Sequence, residues 1–261
     1  MAEVQTTPPW LLALGKEAPP QSIEVRGHSY QLDHIFKHDF FAFTARYRGP
    51  EGQVVLKIGR KASVFYFPLS WIGRLHSWHE SAVFQDVDDI DTVPEFMGRY
   101  GPYGLVHEFI EGHELARGEH VPDDFFDRLQ EGLDEVHRRG MAYVDLEKPE
   151  NVLVGSDGTP YLFDFQISYR WPFKYGGNWP PFRWILSRLQ ASDRYHLTKL
   201  RRRCRPDSMS AEEIKASKRR PVHIRMYGKL TRPITRLRRR ILNRIDPVKK
   251  RGGERGRMGK E

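Results

Sequence analysis

The sequence predicts an α+β protein, with chain enough for one domain or for two lobes sharing a cleft. Two observations carry this. Between residues 22 and 111 short alternating apolar runs and one helical stretch succeed each other. From residue 112 onward an amphipathic helix leads into a hairpin that carries Asp145, Asn151 and Asp164. The division of charge is a third. Residues 170–261 hold 28 Lys/Arg against 7 Asp/Glu, a net of +21, whereas residues 1–169 net −12. Such asymmetry points to an acidic body with a basic appendage directed at a polyanion or an anionic surface.

A chain of 261 residues has ample material for a core, and 39% hydrophobic with 12% aromatic residues fits a globular protein. Cys204 is the single cysteine, which excludes a disulfide framework and a thiolate metal cluster and makes a reducing, cytoplasmic setting the expectation. No apolar run approaches the roughly 20 residues that span a bilayer. The run Trp10 to Leu14 is too short, lacks a basic flank and is bracketed by prolines, so it does not read as a signal peptide.

Taken in order, residues 1–21 form a Pro-rich extension expected to be extended or loosely packed. Residues 22–111 form the small lobe. Ile23, Val25, Tyr30, Leu32 and Ile35 alternate in paired strands, Phe40 to Tyr47 reads as a further strand, and Arg48 to Gly52 is a strong turn. Gln53 to Ile58 is a strand, Trp71 to Val87 a helix ending in an acidic cluster, and Leu105 to Ile110 a strand. Residues 112–206 form a reduced large lobe. Its clearest element is a helix over Pro122 to Gly140, with Phe125, Phe126, Leu129, Leu133 and Val136 on one stripe and Gly140 as its stop. A helix-like stretch runs to Cys204, and residues 207–261 form a basic tail. There are no internal repeats.

The chemistry concentrates in Tyr143-Val144-Asp145-Leu146-Glu147-Lys148-Pro149-Glu150-Asn151-Val152-Leu153-Val154 and in Leu162-Phe163-Asp164-Phe165-Gln166. Asp and Asn are common in loops for turn reasons, but their order and flanking apolar runs suit phosphoryl transfer from a nucleotide. One carboxylate orients an acceptor hydroxyl, while an Asn and an Asp hold magnesium on the phosphates. The pattern resembles the catalytic loop and metal-binding turn of the protein-kinase-like superfamily. That resemblance implies a two-lobed kinase-like fold, ATP and Mg as cofactors, Asp145 as the group that takes the hydroxyl proton, and Asn151 and Asp164 as metal ligands. It implies that Lys57, in Val54-Val55-Leu56-Lys57-Ile58, contacts the nucleotide phosphates. A lysine pointing inward from a strand needs a compensating anion, and Glu80 on the next helix is the natural partner; an edge-strand lysine facing water is the competing reading.

Departures are informative. Ile35 to Phe43 stand where the glycine-rich loop belongs, and no glycine is present. This means a different clamp, with Lys37 or His38 supplying charge, or weakened nucleotide binding. Tyr143-Val144 replaces His-Arg, which argues against control by a phosphorylated activation loop. Five residues instead of four separate Asp145 from Asn151, Lys148 is shifted with them, and Gln166 replaces the glycine of D-F-G. There is no A-P-E. The resemblance covers residues 22–170, and 171–206 by position. It is nearest in appearance to atypical bacterial lipopolysaccharide (Kdo and core heptose) kinases and to Rio-type kinases.

In the tail, Ile234, Leu237, Ile241 and Ile245 fall at helical spacing among Arg236, Arg238, Arg239, Arg240 and Arg244, with Pro233 suited to a first turn. Arg201 to Arg203 and Lys218 to Arg220 add two clusters. Such a helix suits an anionic membrane interface; an RNA-binding face and a solvated charged helix are the alternatives. Residues 248–261 are expected to be disordered. The functional expectation is an ATP- and Mg-dependent kinase acting on a hydroxyl, preferably of a membrane glycolipid such as lipopolysaccharide, at the inner face of the membrane. A serine/threonine protein kinase and a pseudokinase docking on membrane or RNA are the alternatives.

Overall fold

The structure, a computed structural model, describes residues 8–63, 69–171 and 179–218. The N-terminal lobe is a six-stranded antiparallel sheet in the order β1-β2-β3-β4-β6-β5. Its strands are β1 (Ser22–Val25), β2 (His28–His38), β3 (Ala42–Gly49), β4 (Gly52–Gly59), β5 (Phe96–Tyr100) and β6 (Gly104–Glu108). Strand β4 reads as a nearly unbroken apolar run because it is central, paired with β3 on one side and β6 on the other. Val54, Leu56 and Ile58 enter a core with Tyr30, Phe43, Ala45, Tyr47 and Val106. The two-residue period therefore turns Lys57 to the opposite face, where α1 (Ser70–Val87) packs. Strand β5 escaped the sequence reading because Gly98 interrupts it, at φ 132° beside a bulge.

The C-terminal lobe contains a three-stranded sheet, β7 (Gly112–Glu114), β8 (Val152–Gly155) and β9 (Pro160–Leu162), with α2 (Phe125–Arg138), α3 (Pro180–Cys204) and α4 (Ala211–Lys218). The stripe Phe125, Phe126, Leu129, Leu133 and Val136 of α2 is buried, as expected, in one core with Val83, Phe84, Leu162, Phe165, Leu197 and Leu200. Helix α2 starts at Phe125 instead of Pro122, and Gly140 closes it at φ 74°.

Two expectations are corrected. The described part of the N-terminal segment, from residue 8, is packed: Leu11, Ala13 and Leu14 are buried, and Pro9–Leu11 form a 3-10 turn. Apolar side chains outweigh the prolines there. The folded body also continues past residue 206. Ser210 and Glu213 form a capping box for α4, and Arg202 Nη1 donates to Ser217 Oγ at 2.9 Å, so α4 lies back on α3. The amphipathic tail sequence over 233–245, the Arg219–Arg220 part of the second basic cluster and residues 248–261 lie outside the described residues. Among the described residues no helix is long and apolar enough to cross a membrane.

Candidate active site

The loop that follows α2 is held from beneath by one buried carboxylate. Asp193, in the middle of α3, is 0% exposed and accepts the backbone N–H groups of Tyr143 and Val144, each at 2.8 Å, and His137 Nε2–H at 3.0 Å. Val144 is thereby fixed at φ 73°, a conformation that a β-branched residue avoids. The bend presents the next residue, Asp145, whose Oδ2 lies 2.5 Å from Lys148 Nζ. Asn151 Nδ2 donates to the Asp145 carbonyl at 3.1 Å. The segment from Asp145 to Asn151 ends in a 3-10 turn over Pro149–Asn151. Tyr143 is fully buried, and its hydroxyl hydrogen-bonds the carbonyls of Asn151, at 3.0 Å, and Phe163. Burial, reinforced by the Asp164 and Asp145 charges, pushes that hydroxyl well above its usual pKa, so it stays a donor.

The hairpin register completes the site. Val152 pairs with Leu162, so Asn151 lies across from Phe163 and next to Asp164. Asp164 adopts the left-handed conformation, φ 61° and ψ 63°. Its Oδ1 receives Lys57 Nζ at 2.6 Å, and the same ammonium reaches Glu80 Oε1 at 2.7 Å. Burial works to lower the Lys57 pKa, but the two carboxylates outweigh it and hold it above the ordinary lysine value. For Glu80 burial dominates and pushes the carboxyl up against the pull of Lys57. For Asp164 burial also acts upward, yet Lys57 outweighs it and, helped by Lys37 and Lys148, holds the carboxyl below its usual range. All five residues singled out in the sequence, Lys57, Glu80, Asp145, Asn151 and Asp164, are thus brought together.

The donor set suits magnesium. Asn151 engages its amide nitrogen with the Asp145 carbonyl, so its amide oxygen is not used in that contact, and Asp164 uses one carboxylate oxygen for Lys57. Two hard oxygens from the protein, completed by phosphate and water, are what this small cation takes. Among the described residues there is no cluster of three or more His, Cys, Asp or Glu able to cage a metal alone.

An aromatic column ties the lobes together. Phe96 on β5 stacks on Phe84 of α1 with ring centroids 6.1 Å apart, Phe84 meets Phe165 edge-on at 5.1 Å, and Phe165 meets Tyr143 at 5.3 Å. The helix that carries Glu80 is therefore packed, through the residue after Asp164, onto the loop that Asp193 holds. Gln166 adds a tether where glycine was expected. Its Nε2 donates to His76 Nδ1 at 2.9 Å, and His79 Nε2 lies 2.9 Å from the Ser168 carbonyl.

The β2–β3 tip, where a glycine loop would lie, is closed on itself. Asp39 Oδ1 accepts the N–H groups of Phe41, at 2.8 Å, and Ala42, at 3.1 Å. Those amides are spent internally and cannot cradle phosphate. Of the two charged candidates, His38 is turned away: its ring accepts from Leu14 N at 3.4 Å, packs edge-on against Phe43, and burial lowers its pKa. Lys37 keeps its ammonium mostly exposed, pairs with Asp39 at 3.2 Å, and acts on Asp164 from across the cleft.

Asp193 and its partner His137 were missed in the sequence. The legible sign was an acidic residue on the stripe Asp193, His196, Leu197, Leu200 and Cys204, all buried, where a carboxylate is out of place without hydrogen-bond donors.

Sheet, helix, lysine–glutamate pair and hairpin make a two-lobed protein-kinase-like fold with no glycine at its β2–β3 tip. No family model matches the chain. Among curated proteins, the mitogen-activated protein kinase sma-5 of Caenorhabditis elegans is 38% identical over 63 residues, 24% of this chain and 12% of that protein. Similar solved structures include the Rio2 kinase–ADP/Mg2+–phosphoaspartate complex from Chaetomium thermophilum, at 16% identity and TM-score 0.48, covering 70% of this chain and 61% of that one. A second solved kinase domain is similar at 11% identity and TM-score 0.45, covering 62% and 57%. The chain spans less than two thirds of each of these proteins.

Proposed function

We propose that this protein is an ATP- and magnesium-dependent kinase that transfers the γ-phosphoryl group to a hydroxyl. The observation that carries the reading is Lys57 held between Glu80 and Asp164, with Asn151 and Asp145 on the adjoining loop. Lys57 and the exposed ammonium groups of Lys37 and Lys148 would face the phosphates that the closed β2–β3 tip cannot cradle. Asn151 and Asp164 would hold magnesium, which would neutralise the charge that develops on the phosphates. Asp145 would accept the acceptor's proton as its oxygen forms the new bond to phosphorus and the bond to the ADP oxygen breaks; Lys148 keeps the Asp145 carboxylate oriented.

The preferred acceptor is a sugar hydroxyl of a membrane glycolipid such as lipopolysaccharide core, at the inner face of the membrane. The net +21 of residues 170–261 and the amphipathic spacing of Ile234, Leu237, Ile241 and Ile245 support that preference. A protein Ser/Thr hydroxyl is second. The pseudokinase reading draws on one specific observation, the spent amides of the Asp39 tip. Incubation with γ-labelled ATP, magnesium and lipopolysaccharide-core, peptide or no acceptor separates these readings. Label on the glycolipid that disappears in Asp145→Ala is the expected result. ATP binding without turnover on any acceptor selects the pseudokinase, and protein that binds no ATP overturns the proposal.

A further inference from the structure

A second set of contacts converges on the β2–β3 tip from a direction the nucleotide reading does not use. Arg60, the residue after β4, is 4% exposed, and among the described residues no carboxylate pairs with it. Its guanidinium instead donates to two backbone carbonyls, Phe40 from Nη1 and Trp10 from Nη2, each at 2.7 Å, and lies over the Phe40 ring at 3.9 Å. One of those carbonyls belongs to the tip and the other to the N-terminal 3-10 turn. A buried cation without a counter-ion is costly, and with Nε left without a partner the two carbonyl contacts and the Phe40 ring are what hold Arg60 in that geometry.

The N-terminal segment reaches the same tip independently. Ala13 N donates to the Asp39 carbonyl at 2.7 Å, and Leu14 N donates to the His38 ring at 3.4 Å. The Ala13 carbonyl in turn accepts the N–H groups of Lys61, at 2.8 Å, and Ala62, at 3.0 Å, while Lys61 Nζ meets Glu17 at 2.9 Å. Gly15 lets this strap lie flat. It has φ +66°, and a Cβ there would stand 3.0 Å from the Ala62 Cβ. The base of the anchorage is equally tight, since a Cβ on Gly73 of α1 would fall 2.0 Å from the Arg60 carbonyl. Strap, tip, strand end and helix are thus one unit.

We infer that residues 8–17 and Arg60 form a strap that positions the β2–β3 tip over the nucleotide phosphates, doing by external bracing what backbone flexibility does in a glycine loop. The inference rests on the nucleotide reading of the cleft. A mobile glycine loop closes on its ligand through its own amides. Here the amides of Phe41 and Ala42 are already spent, so the tip contributes through where it holds Lys37, two residues before Asp39. Arg60 and the strap touch the tip and not the Lys57, Asn151 and Asp164 cluster, which makes them positioning groups for phosphate recognition.

The test uses full-length protein and two variants that loosen the strap at separate points, Arg60→Gln and Gly15→Val. Arg60→Lys is the conservative control that keeps charge and can retain one carbonyl contact. Amide hydrogen exchange is read over residues 37–43, and dissociation constants are measured for Mg-ATP and for adenosine, which has no phosphates. Both loosening variants are expected to exchange faster at the tip and to bind Mg-ATP about tenfold more weakly. Adenosine binding should stay within about twofold of wild type, and Arg60→Lys should fall between. A defect in folding would weaken both ligands together. Faster exchange with unchanged Mg-ATP affinity, equal loss for ATP and adenosine, or unchanged exchange in both variants would each overturn the inference. Wild-type protein that binds neither ligand would instead refute the nucleotide reading itself, before any variant is compared.

Discussion

Replacing Asp193 with asparagine is the sharpest probe of how this cleft is built. The side chain keeps its shape but exchanges one carboxylate oxygen for an NH2 group, and every partner of Asp193 is a donor: Tyr143 N, Val144 N and His137 Nε2. One donor must then face another donor inside a site with no exposure. Hydrogen bonds to a charged group contribute about 1.5–3 kcal/mol, and a buried donor left unsatisfied costs about 1–3 kcal/mol. Oδ2 accepts both Tyr143 N–H and His137 Nε2–H, so an amide oxygen placed there keeps those two contacts and only Val144 N–H meets the NH2. One lost bond to charge plus one unsatisfied donor is a gross loss on the order of 3–5 kcal/mol. Release of Val144 from φ 73° returns part of that, about 1–3 kcal/mol. The net expectation is a destabilisation of about 2–3 kcal/mol. Urea denaturation followed by fluorescence reads it as a lower midpoint at unchanged slope. Val144→Gly in the Asp193→Asn background should add little further loss, because glycine accepts the positive φ that the carboxylate enforced. Since Asp145 follows directly while Lys57 and Asp164 lie on other elements, turnover should fall steeply with ATP affinity retained. Asp193→Asn with wild-type stability, within about 0.5 kcal/mol, would falsify this account of the loop.

Other outcomes follow from the same geometry. Lys57→Met should weaken ATP binding and cost about 3–5 kcal/mol of stability by stranding buried Glu80, and Lys57→Met/Glu80→Leu should recover much of the stability but none of the binding, as thermal melts and titrations would show. Asp145→Asn should abolish phosphoryl transfer while leaving the Mg-ATP dissociation constant near wild type, read by single-turnover assay and calorimetry. Burial pushes His107 down to about 4, against 6.5 unfolded, so the unfolded chain binds the extra proton and stability should fall as pH drops from 6.5 to 4; His107→Phe, which can keep the stack on Phe84, should flatten the melting temperature across that window. Asp164 has a folded pKa below 3.8, so its contribution is present above that value and lost as pH falls through the depressed one; Asp164→Asn should remove this part of the acid transition. Vesicle flotation of the full chain should show binding to anionic but not neutral lipid, weakened between 0.1 and 1 M salt as the Debye length shrinks from about 10 to about 3 Å.

The sequence by itself determined which polar groups meet in the cleft. Lys57, Glu80, Asp145, Asn151 and Asp164 were legible because their order and local setting resemble a kinase-like set, and because local periodicity says which side chains share a face. The α2 stripe and the central character of β4 were legible for the same reason. The supports of those groups were not. Asp193 lies 48 residues from Asp145, and only the packing of α3 under the loop gives its carboxylate the two amides it accepts. The N-terminal strap was misread because proline content reports local stiffness and says nothing of whether Leu11, Ala13 and Leu14 find a surface to bury against. Arg60 and the Asp39 tip were likewise ordinary surface polar residues until the fold enclosed them. Contacts between distant segments depend on how whole elements pack, and a burial that large cannot be read from a run of neighbours. Only the tertiary structure decided that a loop without glycine is braced from outside and that the bend at Val144 is held by a buried aspartate.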